Sequence, residues 1–374
     1  MTSTLDNMTD EECEQAIKRF SEMTQVDEAL AHFFLQEHDF DINRALTQFF
    51  NNSNQDLNTS TNINSNGINI VNGNNGLKST NNKRVFQENK EDELLPKELT
   101  LISWNIDGLD ERQRQKRFTA SLYIIAKTNP EVIFLQEMIE KLMPQLNELM
   151  SPMYNTFIQK TPNCGYFCII LVSKNIKITS DEFIPFENTT MGRGMLIVEG
   201  VWQKLKLKLL NSHLESTADY SNARSSQFAK CIEQIHLMAQ TDETLAIFGG
   251  DLNIRDKEVG NLPESIRDAW IEAGSKAEYR YTWDLKRNDN YSGIFGKGQP
   301  RARFDRILFK GPPQTKVDFQ LDGINRIKGP NCFVSDHFAL VCRFLMKTQE
   351  VVTFSNYVIS PKKSKQSEEP NNMT

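Results

Sequence analysis

Between residues 95 and 346, short apolar runs alternate with longer stretches whose apolar residues recur every three or four positions. The recurring pattern predicts helices over 111–127 and 218–239, and the apolar runs have the length and composition of strands. Eight such strands are predicted, at 99–104, 132–135, 167–172, 195–201, 205–210, 245–248, 305–309 and 339–344. Many strands interspersed with helices predict an α/β domain.

The first 50 residues show helical periodicity only. Thr9 and Glu12 have the spacing of a capping box before a helix over 10–22, and a second apolar run recurs at helical steps around Phe33. Asp41 can cap a third helix whose apolar residues face inward. We therefore predict a small three-helix bundle over residues 1–50, ahead of the α/β domain.

The segment that follows has the composition of a linker. Residues 51–83 contain 13 asparagines and only isolated Leu, Ile or Val, which is too little apolar surface to offset the ordering entropy. We predict a disordered linker over 51–94, a folded domain over 95–347 and a disordered polar tail over 348–374.

Charge is unevenly distributed along the chain. The net charge is −6, but residues 1–50 carry 11 acidic and 3 basic side chains, so the other 324 residues carry +2. A near-neutral domain can still bind nucleic acid where its basic groups cluster. The sequence shows no signal-peptide pattern and no apolar stretch near the ~18 residues of a membrane span. We expect a soluble, intracellular protein with no membrane partner.

The six cysteines are scattered, and none forms the closely spaced pairs of a zinc or redox motif. Cys164 and Cys168 are interpreted as one face of a strand, with metal ligation as the alternative. We expect reduced thiols in the core.

Polar residues follow several of the apolar runs, where loops carry function on a rigid scaffold. Asn105 and Asp107 follow the first run, and two residues so spaced in an extended segment point the same way. Glu137 closes the run at 132–135. Because Mg²⁺ prefers one or two carboxylates completed by water and substrate phosphate, Asp107 and Glu137 are the predicted metal ligands. The alternative for either acid alone is a solvated strand end.

A second pair of polar residues follows two glycines after the run at 245–248. Asp251 and Asn253 are again two residues apart. Asp251 can accept a proton from an attacking water, and Asn253 can orient that water or a phosphate. The alternative is an Asx-type turn after a buried strand.

Of the five histidines, only His213 and His337 adjoin apolar runs of the α/β domain in this way. Adjacent side chains in an extended segment diverge, so Asp336 is not expected to orient the His337 imidazole. Asp305, at the start of a strand, is the candidate for that role and would favour the protonated ring. A protonated His337 would stabilise charge on phosphoryl oxygens.

Taken in order, these segments carry the motifs WNIDG, LQE, HLES, GGDLN, RFDR and SDH. Together they resemble the endonuclease/exonuclease/phosphatase superfamily over about residues 95–346. The resemblance implies a four-layer α/β sandwich, in which two packed sheets are flanked by helices and the active site lies at one edge. The longer motifs WNIDGLD, GYF, HLEST, GGDLNIRD, YTWD and RFDRI resemble the tyrosyl-DNA phosphodiesterase 2 family. Residues 26–50 look like the last two helices of the ubiquitin-associated-like module of that family.

The family resemblance implies a DNA repair hydrolase that cleaves the 5′-phosphotyrosyl bond between DNA and a trapped protein such as topoisomerase 2. Water would attack in line with the help of Mg²⁺, or of Mn²⁺ as the alternative ion, and leave a 5′-phosphate. The resemblance implies that Asp107 and Glu137 bind the metal ion. The catalytic set implied is Asn105, Glu137, His213, Ser216, Asp251, Asn253, Asp305, Asp336 and His337.

The DNA-binding set combines groups that hold the phosphate with side chains that line a groove for the DNA 5′ end. The phosphate would be held by Asn105, His213, Ser216 and Asn253, and the groove would be lined by Tyr166, Arg255, Trp283 and Phe304. Ala218 departs from the pattern, because an Arg is expected there in vertebrate members of the family.

The resemblance also implies ubiquitin or ubiquitylated proteins as partners of residues 1–50, a monomer, and a nuclear location with the cytoplasm as an alternative. Other functions fit parts of the pattern. An abasic-site endonuclease or a lipid or inositol phosphatase would use the same fold. A ubiquitin-binding adaptor could retain the phosphodiesterase fold as an inactive scaffold.

Overall fold

The computed structural model describes residues 10–24, 95–160, 165–291 and 298–346, together with the single residues 31, 35, 40, 42 and 45. The predicted linker over 51–94 and the predicted tail over 348–374 lie outside the described residues, as does Cys164. Both segments therefore stay predictions.

The helices of the described chain are α1 (Asp10–Thr24), α2 (Arg114–Thr128), α3 (Met143–Met150), α4 (Ser221–Met238) and α5 (Ala269–Glu272). Short 3₁₀ turns cover Glu140–Leu142, Asp256–Glu258 and Ala277–Tyr279. The strands are β1 (Glu98–Asn105), β2 (Val132–Met138), β3 (Tyr154–Ile158), β4 (Phe167–Ser173), β5 (Lys177–Pro185), β6 (Gly194–Trp202), β7 (Leu205–Asn211), β8 (Thr244–Asp251), β9 (Arg267–Asp268), β10 (Trp283–Asp284), β11 (Arg301–Ala302), β12 (Asp305–Lys310), β13 (Lys316–Asp322), β14 (Arg326–Ile327), β15 (Cys332–Phe333) and β16 (Ala339–Leu345).

Two six-stranded sheets form the centre of the α/β domain. The strand order is β13-β16-β1-β2-β4-β3 in the first sheet and β5-β6-β7-β8-β12-β9 in the second. β1 pairs with β2 in parallel, as does β7 with β8, and the other pairs in these two sheets are antiparallel. Two short hairpins, β10-β11 and β14-β15, complete the described strands.

The two sheets pack face to face around one apolar core, to which Phe134, Ile247 and Phe344 contribute. Helices α2 and α3 belong to a second cluster on the outer face of the first sheet, and α4 belongs to a third on the outer face of the second sheet. The layers are therefore helix, sheet, sheet and helix, which confirms the predicted four-layer α/β sandwich.

The eight predicted strands are the eight interior strands of the two sheets, and the prediction missed the four edge strands β3, β5, β9 and β13. Most interior strands of this sandwich are buried on both faces and have a nearly continuous apolar run; β7 is an exception, since its Lys206 is exposed and its Lys208 half-buried. In contrast, most residues of β5 are exposed or half-buried, and β13 alternates buried with exposed residues. Edge strands therefore lack the apolar signal that the interior strands carry.

The N-terminal region has an apolar cluster of its own. Its buried members are Ala16, Phe20, Ala31, Leu35, Phe40 and Ala45. Besides α1, the described residues 31, 35, 42 and 45 are helical, in line with the expected small helical bundle. None of the helices in the described ranges is both long enough and apolar enough to cross a bilayer.

Strand direction places the candidate residues at one edge of the sandwich. The parallel strands β1, β2 and β8 end at or beside Asn105, Glu137 and Asp251. Strands β12 and β16 run antiparallel to their neighbours β8 and β1, so they begin at the same edge. Asp305, at the start of β12, and His337, just before β16, therefore lie at that edge as well. Residue Asp305 pairs directly with Asp251 in the β12-β8 register.

Candidate active site

Asn105 joins the ends of three strands. Its side chain is 1% exposed, and its Nδ2 donates to Glu137 Oε1 at 3.0 Å and to Asp251 Oδ2 at 3.0 Å. A buried amide that uses both of its N–H groups in this way fixes the two carboxylates relative to each other. The carboxylates therefore come from different sheets but share one pocket.

Two polar turns follow the strand ends, and they correct one expectation. Asp107 and Asn253 have φ of 50° and 49°, so neither continues an extended segment. Instead, Asn105 Oδ1 accepts from the Asp107 N–H at 3.0 Å, and Asp251 Oδ1 accepts from the Asn253 N–H at 3.1 Å. The prediction that each pair shares one strand face is wrong. An Asx-type turn forms at both places, and for Asp251 and Asn253 it is the alternative that was predicted.

Glu137 is also held in a left-handed backbone conformation, with φ of 55°, at an irregularity in the β2-β4 register. The neighbouring chain comes so close that a Cβ on Gly108 would lie 2.2 Å from the Glu137 carbonyl oxygen. Only glycine fits there, which explains why this residue follows Asp107. Left-handed residues that carry side chains are uncommon, and three of them surround this pocket.

His337 is held by Asp305. Its Nδ1 lies 2.7 Å from Asp305 Oδ2, and the Thr282 hydroxyl donates to the same oxygen at 2.5 Å. The Asp305 N–H in turn donates to the Thr282 oxygen at 3.1 Å. Burial alone would lower the pKa of His337, but the surrounding carboxylates, foremost that of Asp305, raise it well above its ordinary value. The surrounding carboxylates therefore favour the protonated form of the imidazole.

Asp251 lies between two imidazoles. His213 Nε2 is 3.3 Å and His337 Nε2 is 3.7 Å from Asp251 Oδ2. Burial alone would raise the pKa of Asp251, but His337 and His213 outweigh it and hold the pKa below the ordinary value. Asp251 is thus a carboxylate that stays ionised in a buried pocket.

Asp107 and Asp336 form an acidic group beside Glu137. Burial, with Asp336 and Glu137 adding to it against Arg117, raises the pKa of Asp107 to about 8. Burial also raises the pKa of Asp336 to about 6, with His337 opposing and Glu137 adding to the rise. Tyr291 donates to Asp107 Oδ1 at 3.0 Å, and Arg117 Nη1 lies 3.3 Å from Oδ2.

These residues fit a divalent cation. Among the described residues, Asp107 Oδ2 is buried and accepts no hydrogen bond, and burial beside other acids raises the pKa values of Asp107 and Asp336. A cation bound next to them would oppose that rise. Glu137, His213 and Asp251 also offer ligand atoms that all lie within 4.8 Å of one another. The site can therefore hold a metal ion beside Glu137, which belongs to this group and also neighbours Asp107 and Asp336.

Two aromatic and basic groups flank the pocket. On one side, the Arg193 guanidinium lies 4.9 Å from the centre of the Tyr166 ring, and its Nη2 is 3.4 Å from Ser216 Oγ.

On the other side of the pocket, the ring centres of Trp283 and Phe304 are 5.6 Å apart. Trp283 Nε1 donates to Asp336 at 3.2 Å, and the Arg255 guanidinium lies 5.7 Å from the Phe304 ring. The structure brings all the candidate residues to this one edge.

Four contributors were not singled out from the sequence: Arg117, Arg193, Thr282 and Tyr291. Thr282 lies inside the YTWD motif, so the motif indicated it without giving its role. The other three come from a helix or a loop with no local signal, and only the folded chain places them beside the predicted residues.

The sequence model of the Endonuclease/Exonuclease/phosphatase family matches residues 102–337, which is more than half of the chain. A model described as a UBA-like domain matches residues 14–56. The chain therefore belongs to the endonuclease/exonuclease/phosphatase family, as its motifs indicate.

Within this family, the chain is 35% identical over 332 residues to a 5′-tyrosyl-DNA phosphodiesterase of Caenorhabditis elegans, over 88% of this chain and 87% of that protein. The crystal structure of tyrosyl-DNA phosphodiesterase 2 from C. elegans has a TM-score of 0.64 at 34% identity, over 91% of this chain and 94% of that one. A Danio rerio tyrosyl-DNA phosphodiesterase 2 complexed with single strand DNA product has a TM-score of 0.62 at 32% identity, over 67% and 100%. These relatives place the chain among the tyrosyl-DNA phosphodiesterases.

Proposed function

We propose that this chain is a Mg²⁺-dependent 5′-tyrosyl-DNA phosphodiesterase that repairs DNA by releasing protein trapped on a 5′ end, such as a topoisomerase 2 adduct. The observation that supports this most is the Asn105 amide, which ties Glu137 to Asp251 beside His337, whose protonated form the neighbouring carboxylates favour. One side of such a pocket attracts a cation, and the other presents positive charge to a phosphodiester. The similarity to enzymes of that name, over 88% of this chain and 87% of the C. elegans protein, supports the substrate.

The proposed substrate suits this site. A tyrosyl phosphodiester releases a phenolate, whose conjugate acid has a pKa of ~10 and so leaves more readily than an aliphatic alkoxide. Phosphoryl transfer of this kind depends mainly on positioning and charge stabilisation. The products would be DNA with a 5′-phosphate and an adduct with a free tyrosine hydroxyl.

In this mechanism, Asp251 orients the attacking water and accepts its proton. The lowered pKa of Asp251 makes this carboxylate a weak base. A weak base is sufficient here because the phenolate begins to leave before the water is fully deprotonated. His337, held by Asp305, donates to a phosphoryl oxygen and stabilises the developing charge. His213, Asn253 and Ser216 hold the other phosphate oxygens.

The metal ligands in this proposal are Glu137 and Asp107. Mg²⁺ prefers oxygen ligands, so the imidazole of His213 is a poor partner for it and is better used on the phosphate. Mn²⁺ is the alternative ion. When bound, the ion would polarise a phosphoryl oxygen and offset negative charge.

The DNA strand would follow the aromatic side chains. Trp283 and Phe304 offer ring faces for unpaired nucleotides, and Arg255 adds positive charge beside them. Tyr166 and Arg193 flank the phosphate on the side of Ser216.

The deciding experiment is cleavage of a single-stranded oligonucleotide with a 5′-phosphotyrosine, with Mg²⁺ and with chelator. We expect turnover only with the ion, and near-complete loss in Glu137→Gln and Asp251→Asn, with both variants folded. Faster cleavage of an internal abasic site would favour the endonuclease alternative. Full activity in both variants would exclude the proposed roles, and a wild-type protein without activity would favour the adaptor.

For the rest of the chain we propose ubiquitin binding by residues 1–50, a protease-sensitive linker over 51–94, a monomer and a nuclear location. The UBA-like match supports the first of these. Titration of ¹⁵N-labelled ubiquitin with the full chain should shift ubiquitin resonances, and unchanged spectra would exclude binding. Limited proteolysis, light scattering and imaging of the tagged protein test the other three proposals in turn.

A further inference from the structure

Glu215 lies between His213 and Ser216, yet its side chain faces away from the pocket into the protein, where it is 0% exposed. Oε1 accepts from the Thr190 N–H at 2.5 Å, from the Thr190 hydroxyl at 3.0 Å and from the Met191 N–H at 3.2 Å. The Thr189 hydroxyl donates to Oε2 at 3.3 Å. A buried carboxylate is costly unless its lone pairs are used, and here they organise one loop, residues 189–193.

This loop is folded around the same contacts. Thr189 Oγ1 accepts from the Arg193 N–H at 2.7 Å and from the Met191 N–H at 3.3 Å while its hydroxyl faces Glu215. The Glu215 carboxylate therefore fixes the backbone of Arg193 indirectly: it accepts from the Thr189 hydroxyl, whose oxygen in turn accepts from the Arg193 N–H.

The loop ends in Arg193, which is 5% exposed. Its Nη2 is 3.4 Å from Ser216 Oγ, its guanidinium lies 4.9 Å from the Tyr166 ring centre, and its Nε is 4.0 Å from Glu215 Oε2. Arg193 thus connects the loop to the side of the pocket that the proposed function assigns to the phosphate.

The opposite side of the HLEST segment is held independently. Arg224, which is fully buried, donates from Nη1 to the carbonyls of Glu215 at 2.9 Å and Thr217 at 2.7 Å, and it pairs with Glu258 at 2.8 Å. The backbone that carries His213 and Ser216 does not need the Glu215 carboxylate to hold its path. What depends on the carboxylate is the loop.

We propose that Glu215 is a positioning residue that acts through Arg193: its carboxylate holds residues 189–193 so that the guanidinium faces Ser216 and Tyr166. The inference rests on the proposed function for its kinetic consequence, but its structural consequence can be measured without substrate. Both carboxylate oxygens act as acceptors, towards two backbone N–H groups and two hydroxyls, and Oε2 also faces the Arg193 guanidinium. The amide of Gln has only one acceptor oxygen and would turn an N–H group towards that guanidinium, which should release the loop.

The test compares wild type, Glu215→Gln, Arg193→Ala and the double variant on the 5′-phosphotyrosyl oligonucleotide. We expect each single variant to lower kcat/KM by about tenfold or more, and the double variant to stay within about twofold of Arg193→Ala, because the two residues act as one unit. Glu131→Gln is the matched control. That carboxylate also accepts a backbone N–H, from Thr100 at 2.7 Å, but lies at the other end of β2, so kcat/KM should not change.

Hydrogen exchange gives the readout that needs no activity. In Glu215→Gln, the Thr190, Met191 and Arg193 amides should exchange at least tenfold faster, while the strands of both sheets exchange as in wild type. The inference would be overturned if the kcat/KM losses of the two single variants multiplied in the double variant. It would also be overturned if amide exchange in residues 189–193 of Glu215→Gln stayed as in wild type. Loss of protection throughout the domain would overturn the inference as well, since it would make Glu215 a general stabiliser. An inactive wild type with faster loop exchange in Glu215→Gln would refute the substrate but uphold Glu215.

Discussion

A proton on Asp107 should compete with the divalent ion. The pKa of Asp107 is raised to about 8 in the metal-free chain, chiefly by burial and by the neighbouring Asp336. The proton must leave before the carboxylate can serve a cation, since metal ligands bind in their deprotonated form. At pH 7 this costs about 1.4 kcal/mol, or tenfold in apparent affinity, and at pH 6 about 2.7 kcal/mol. At pH 9 the cost is close to zero.

The same shift predicts how the metal-free protein responds to pH. The pKa of Asp107 is higher in the folded chain than its ordinary value of 3.8, so the protonated form of this carboxyl favours the folded state. This stabilisation is fully present below pH 3.8. This contribution is lost progressively as the pH rises towards about 8. Asp107→Asn removes this dependence, because the amide does not titrate.

Calorimetric titration with Mg²⁺ at pH 6, 7 and 9 measures the effect, and repeating it in buffers of different ionisation enthalpy counts the protons released. We expect affinity to rise about a hundredfold or more from pH 6 to 9. Asp107→Asn should bind more weakly at pH 9 and lose most of the slope, whereas the exposed Asp181→Asn should match wild type. Affinity that is independent of pH, or an unchanged slope in Asp107→Asn, would refute the reasoning.

Three further predictions concern groups around the pocket. Thr282→Val leaves the buried Asp305 N–H without its acceptor and should lower stability by about 1–3 kcal/mol and reduce kcat, while Thr282→Ser should behave as wild type in thermal unfolding and turnover. Phe304→Ala should raise KM for the tyrosyl oligonucleotide about tenfold by loss of base stacking, and leave KM for a phosphodiester without bases unchanged; equal effects on both substrates would contradict a DNA contact. Gly250→Ala should destabilise the domain by about 3 kcal/mol in urea unfolding, because its Cβ would lie 2.0 Å from the Ser212 carbonyl oxygen at a φ of +134°, and a stability loss under about 0.5 kcal/mol would show that β8 can shift.

The resemblance to one superfamily could be recognised without a structure because its motifs occur in a fixed order along the chain. Individually, Glu137 and Asp251 each had an ordinary structural explanation. The Asx-type turn proposed as the ordinary alternative for Asp251 and Asn253 is indeed present. It does not exclude a functional role, because the same Asp251 carboxylate uses its other oxygen towards Asn105 and His213.

The sequence alone determined the α/β class and the eight interior strands, since strands that are mostly buried on both faces carry apolar runs. It also determined which polar side chains follow those strands. Only the tertiary structure decided the edge strands, whose half-exposed residues carry no such run, and the partners brought from afar. Arg193 reaches Ser216, Tyr291 reaches Asp107 and Thr282 reaches Asp305 across separations of 23 to 184 residues. Contacts over such distances depend on strand register and loop path, and local periodicity contains no information about either.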